Sequence, residues 1–177
     1  MNSGALKAVI GGLVWVLCLA GVSAQIYVTE PRETFRGLPG VQVVVEPLKP
    51  DAEQDSLTES QLQTDVELRL RKAGIRVLTR QERLATPGGP FLYVNVNTWK
   101  SPPGFPGVYI YAFEVRLTQR VVLERDIDIA THAGTWTASA VGKVGAARLR
   151  DIREHVGDIV DAFINDFVIA QPPQKIS

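Results

Sequence analysis

Between residues 109 and 123 apolar and polar side chains alternate: Tyr109, Tyr111, Phe113, Val115, Leu117, Val121 and Leu123 interleave with Glu114, Arg116, Thr118 and Arg120. Successive side chains of a strand point to opposite faces, so this segment has one dry face and one wet face. It asks for an apolar layer on one side and water on the other.

The remaining elements fit around that strand. Residues 91–99 alternate in the same way, with Leu92, Val94 and Val96 opposed to Tyr93, Asn95, Asn97 and Trp99. Residues 132–140 oppose Trp136 to Thr135, Thr137 and Ser139, and pair with the 109–123 strand across a turn near Glu124-Arg125-Asp126. Residues 41–46 are dense in β-branched side chains between Gly40 and Pro47, the pattern of a buried strand. A helix follows a polar loop at 48–56: Thr58 and Gln61 have capping-box spacing, Leu57 and Leu62 occupy the staple positions, and Leu62, Val66, Leu70 and Ala73 form one stripe. Gly74 caps it, and Ile75-Arg76-Val77-Leu78 reads as a short strand before a turn-rich segment at 79–90. The last helix, about 146–170, carries Leu149, Ile152, Val156, Ile159, Val160, Phe163, Phe167 and Val168 at three- and four-residue steps, and Pro172-Pro173 stops it. Two helices with such stripes pack on the dry face of one sheet. The expected fold is an α/β two-layer sandwich, with a mixed sheet of about five strands in the order β-α-β-β-β-β-α.

Export is expected. Lys7, an uncharged apolar run at 8–19 and Val22-Ser23-Ala24 compose a signal peptide cleaved after Ala24. The apolar run falls short of the roughly 20 residues that span a bilayer, so an uncleaved anchor is the weaker alternative. Cys18, the one cysteine, lies inside that run and follows Trp15-Val16-Leu17, which is no lipidation signal. Behind the leader there is then no thiol for disulfides, metal ligation or catalysis. The chain divides into a signal peptide (1–24), an extended arm (25–40), a single α/β domain (41–170) and a tail (171–177).

Charge excludes one class of partner. The 19 basic residues balance 19 acidic ones, so no net field recruits nucleic acid. The arginine-rich run at 69–83 is interspersed with acids and reads as a solvated helix face and turn.

Catalytic signatures are missing: no nucleophile elbow, His-Glu-x-x-His, phosphate-binding loop or dinucleotide fingerprint occurs. One polar group is chemically suggestive. On a strand, Asp126, Asp128 and His132 point to one side, and two carboxylates with an imidazole suit a divalent metal or acid–base work. The competing reading is a hairpin with solvated acids and a surface histidine, and it is favoured because no fourth ligand accompanies them. His155 is placed on the solvated side of the last helix. Gly142-Lys143-Val144-Gly145 reads as a strand-to-helix connection rather than an anion-binding turn. No cofactor or metal is expected.

The segment 100–115 holds the candidate binding tip. Pro102, Pro103 and Pro106 stiffen the turn and Gly104 and Gly107 supply its freedom, which presents Phe105 outward beside Tyr109, unless Phe105 folds back into the core. Candidate contact residues are Pro103, Phe105, Pro106 and Tyr109.

The capped helix running into Ala73-Gly74-Ile75-Arg76-Val77-Leu78-Thr79-Arg80, followed by Tyr93-Val94-Asn95-Val96, resembles the TolB amino-terminal and CsgG-type domains of exported bacterial envelope proteins over residues 41–170. The chain departs from both: it has no propeller after the domain, no lipidated cysteine and no pore-forming hairpin. The resemblance implies a non-enzymatic binding or assembly module of the cell envelope, periplasmic or extracellular, whose partner is another envelope or secreted protein. The alternative is a small metal-dependent or hydrolytic enzyme using Asp126, Asp128 and His132.

Overall fold

The long alternating strands do form one sheet. In the computed structural model, which describes residues 25–29 (backbone only), 32–102 and 107–171, the strands are β1 (Gln25–Thr29), β2 (Gln42–Val45), β3 (Phe91–Lys100), β4 (Val108–Leu123) and β5 (Asp126–Gly145). Their spatial order is β1-β5-β4-β3-β2. Neighbours are antiparallel except β2 and β3. A parallel pair needs a long crossover, and residues 46–90 supply it with α1 (Pro50–Gln54), α2 (Glu59–Lys72) and α3 (Arg80–Ala85). The chain ends on a 3-10 turn (Ala146–Asp151) and α4 (Ile152–Ala170).

Both long helices cover the same sheet face, as an α/β two-layer sandwich requires. Leu62, Val66 and Leu70 of α2 and Ile152, Val156, Ile159, Val160, Phe163 and Phe167 of α4 are buried in one core with Leu92, Val94, Tyr111, Phe113, Val115, Leu117 and Trp136. The α2 start is the one expected: Thr58 Oγ1 accepts from Gln61 N at 3.3 Å while Gln61 Oε1 accepts from Thr58 N at 3.3 Å. Gly74 takes the left-handed conformation, φ 77°, that closes the helix.

Several expectations are corrected. The fifth strand is residues 25–29, not 75–78; Val77 makes only an isolated bridge to Val41. The arm at 25–40 is therefore part of the domain: β1 pairs with residues 137–141 of β5, and Phe35, in a 3-10 turn at Arg32–Phe35, is fully buried. The 48–56 loop contains α1, begun by Pro50 at its first position, and the 79–90 segment contains α3 with a second capping box, Thr79 and Glu82. The strand expected at 132–140 runs from Asp126 to Gly145, so Gly142-Lys143-Val144-Gly145 is strand and forms no turn for an anion. Val168 is exposed rather than part of the buried stripe. Residues 1–24 and 172–177, with the leader and the tail expected there, lie outside the described residues.

The core centres on four rings. Phe163 lies 5.3 Å from both Phe35 and Trp136 and 6.1 Å from Phe167, centroid to centroid. Tilted and edge-on ring pairs at such separations are favourable beyond the area they bury. This cluster joins the amino-terminal turn, β5 and α4.

Candidate functional site

Among the described residues no helix packs on the other face of the sheet, and its side chains form cross-strand rows. Pairing sets Trp99, Ile110 and Lys143 in one row, Asn97, Ala112 and Val141 in the next, then Asn95, Glu114 and Ser139, then Tyr93, Arg116 and Thr137. Directly opposed residues share a face at close range. The inner rows are bonded to one another. Tyr93 Oη–H and Asn95 Nδ2 both donate to Glu46 Oε2, and Asn97 Nδ2 donates to Asn95 Oδ1. Arg116 pairs with Glu114 at 3.1 Å and lies over the Tyr93 ring at 5.1 Å. Hydrogen bonds from Tyr93 and then Asn95 hold the Glu46 carboxyl below its ordinary value, and the bond to Glu46 raises the Tyr93 phenol. Glu46, Tyr93 and Asn95 satisfy each other, while Arg116 Nε is buried without a hydrogen-bond partner.

At one end of the sheet β4 and β5 outrun their neighbours. β3 pairs with β4 no further than Thr118, and β1 pairs with β5 no nearer the hairpin than Thr137. Two register shifts shape the ribbon that remains. Leu117 faces Trp136 and Thr118 faces Gly134, which leaves Thr135 extra, so Leu117 and Thr118 are both buried although Thr118 was expected on the wet face. Val122 faces Ala130 and Leu123 faces Asp126, so residues 127–129 have no opposite number. Ile127 is 73% exposed, and Val122 and Ile129 of the same ribbon are about half-exposed.

That geometry disperses the polar trio. Asp126 Oδ1 accepts from Asp128 N at 3.1 Å, which closes the turn, and both acids are exposed. His132 is four strand residues further on, roughly 13 Å from Asp128 along the backbone, and its ring lies 6.5 Å from that of Phe91. Among the described residues no group of three or more His, Cys, Asp or Glu is placed to hold a metal.

Of the candidate tip, Pro103, Phe105 and Pro106 lie outside the described residues. Tyr109 is not a contact residue: it is fully buried, and its hydroxyl donates to Asp55 Oδ2 at 2.6 Å. Lys100 Nζ bonds the same carboxylate oxygen at 2.7 Å. Burial and then the Asp55 bond raise the Tyr109 phenol, while Lys100 and then Tyr109 lower Asp55. The group fastens the start of β4 to the end of α1. His155 is not solvated as expected either; it is half-buried, with Nδ1 2.9 Å from Tyr111 Oη and its ring stacked at 5.8 Å.

An open groove of about 780 Å³ runs between α2 and α4. Two ion contacts cross it, Arg69 with Asp161 at 2.6 Å and Arg153 with both Asp65 oxygens at 2.6 and 2.9 Å, while Lys72, Arg150 and Glu154 on its lining have no ion pair among the described residues. Within the arginine-rich run Arg69, Arg71 and Arg76 pair with Asp161, Glu67 and Glu82.

Two surface features were missed in sequence. Asp126-Ile127-Asp128-Ile129 was read for its acids, although the same alternation announces two outward isoleucines. Glu46 was read as the end of a strand, although it joins the row of Tyr93, Asn95 and Asn97 already placed on the wet face.

Fold and surface define the class: a two-layer α/β sandwich with one helical layer, a sheet face that no described helix covers and a projecting ribbon. Among solved structures the chain is similar to two PelC dodecamers from Paraburkholderia phytofirmans. One, a leucine-to-methionine variant, is 16% identical with a TM-score of 0.45, the alignment covering 81% of this chain and 98% of that one. The other is 14% identical with a TM-score of 0.41, covering 82% and 97%. This is a distant likeness that identifies neither a family nor an activity. No protein-family profile and no curated protein matches the chain.

Proposed function

We propose that this chain is an exported, non-enzymatic binding or assembly module of the bacterial cell envelope, and that its partner is a polypeptide docked along the β4–β5 ribbon. The observation that carries the reading is the ribbon's double overhang: Val122, Ile127 and Ile129 are exposed, and among the described residues no third strand pairs with β4 beyond Thr118 or with β5 nearer the hairpin than Thr137. Gly88 O accepts from Arg120 N, and Thr34 Oγ1 donates to Thr135 O, before the ribbon runs on. A two-stranded ribbon is marginal in water alone, and unpaired strand edges template pairing with another chain. An extended partner segment supplies main-chain bonds to the edge and apolar cover for the isoleucines. The leader composition of residues 1–24 and the resemblance to TolB amino-terminal and CsgG-type domains support the envelope location. Asp126, Asp128 and His132 belong to the same ribbon as separated side chains, and the groove between α2 and α4 does not contain them, which weighs against the enzymatic alternative.

A photo-crosslinking residue at exposed position 131 in the exporting cell tests this, alone and combined with Ile127→Asp or Ile129→Asp. The expected result is a discrete protein adduct that both substitutions abolish, with stability changed by no more than about 0.5 kcal/mol, as at other exposed sites. An adduct pattern indifferent to both substitutions, or a large loss of stability in both, overturns the reading.

A further inference from the structure

The other end of the sheet face opposite the helices differs in kind. Trp99, Ile110 and Val141 are each about half-exposed and adjoin through the pairs Trp99–Ile110 and Ala112–Val141. Two lysines flank them. Lys49 Nζ lies 4.8 Å from the centre of the Trp99 ring and donates to Thr98 O at 2.9 Å, and Lys143 stands opposite Ile110. These two rows contain no carboxylate. The nearest acids on the face, Glu114 and Glu46, lie one row inward and are occupied by Arg116 and by Tyr93 and Asn95. Lys143 has no ion-pair partner among the described residues.

This arrangement narrows the occupant. A sugar stacked on Trp99 needs free amides and carboxylates beside the ring, and the neighbouring Asn97, Asn95 and Glu46 already bond one another. What is free is apolar surface with a cationic rim. Tryptophan favours the headgroup depth of a bilayer, where its ring is half in hydrocarbon. Lysines beside it reach anionic headgroups while their stems stay on the apolar surface. No helix among the described residues is long and apolar enough to cross a membrane, so contact through this end is peripheral.

We propose that the Trp99 end of this sheet face docks on an anionic bilayer surface, with Trp99, Ile110 and Val141 at headgroup depth and Lys49 and Lys143 over the phosphates. The contact stands apart from the ribbon at the opposite end of β4, so both can be used at once.

The test uses the chain as purified from the exporting cell, its amino terminus established by sequencing, with vesicles of phosphatidylglycerol and phosphatidylcholine against phosphatidylcholine alone. Trp99 is isolated as the difference between wild type and Trp99→Phe. Its emission should shift to the blue and be quenched by brominated lipid on the anionic vesicles only, and salt should reverse the change. Lys49→Ala and Lys143→Ala should each weaken binding about five-fold, and Ile127→Ser should not weaken it. No vesicle binding, binding that leaves the Trp99 difference signal unchanged, equal binding to the neutral vesicles, or indifference to both lysine substitutions overturns the proposal.

Discussion

The indole N–H of Trp136 donates to Asp166 Oδ2 at 3.0 Å inside the protein. The second oxygen of Asp166, a residue only 7% exposed, accepts from Arg32 Nε at 2.8 Å. One carboxylate on α4 therefore holds the indole of β5 and the amino-terminal turn together. A buried polar group that loses its partner keeps its desolvation penalty, typically about 1–3 kcal/mol. Asp166→Ala should lose about that much in urea melts. With Trp136→Phe in the background the additional loss should shrink, because the stranded N–H is gone; a strictly additive pair would mean the bond contributes nothing.

Phe163 sits at the centre of the aromatic cluster and is fully buried. Phe163→Ala should destabilise by about 3–5 kcal/mol. Arg125→Ala, at the exposed hairpin turn, should stay within about 0.5 kcal/mol. The comparison of the two melts checks which side chains the helical layer covers.

Gly142 is required by a neighbour rather than by its backbone. A Cβ there would come within 2.5 Å of Tyr111 Oη and 2.6 Å of Cζ, because Tyr111 lies across the glycine to reach His155. Gly142→Ala should destabilise by about 1–3 kcal/mol, as overpacking does. Pairing it with Tyr111→Leu should recover part of the loss measured against Tyr111→Leu alone.

Glu82 closes the capping box of α3. Its carboxyl is lowered to about 2, first by the Thr79 backbone N–H, then by the Thr79 side chain and Arg76. A depressed carboxyl contributes stability that is fully present above its ordinary value of 4.5 and is lost as pH falls through about 2. Side-chain NMR should find Glu82 still ionised at pH 3, and Thr79→Ala should move its titration back toward the ordinary range. A midpoint near 4.5 in the wild-type protein would mean the box is open in solution.

Legibility in the sequence followed the range of the interaction. The capping box of Thr58 and Gln61, the stripe of Leu62, Val66 and Leu70, and the faces of residues 91–99 were readable because each rests on neighbours two to four positions apart. The second capping box, Thr79 and Glu82, is equally local, but the turn signal of Pro87-Gly88-Gly89-Pro90 dominates the segment that contains it.

By itself, the sequence determined which segments have one dry face, how many layers they need and where the first long helix begins, whereas the last begins at Ile152, after a 3-10 turn over the first residues expected to be helical. Tertiary structure alone decided the rest. Gln25–Thr29 is a strand because residues 137–141, more than a hundred positions away, present a free edge, while 75–78 has comparable local character and receives only one bridge. Tyr109, which falls on the dry face of its strand yet borders the candidate tip, and His155, which reads as solvated, acquired Asp55 and Tyr111 as partners only when distant elements met. Asp126, Asp128 and His132 share a nominal strand side, yet the three unpaired residues of the 127–129 bulge and the rise of the strand keep them apart. The physical reason is common to all of these: periodicity specifies which way a side chain points, while strand edges, bulges and buried partners are set by which segments pair, and pairing is a property of the whole folded chain.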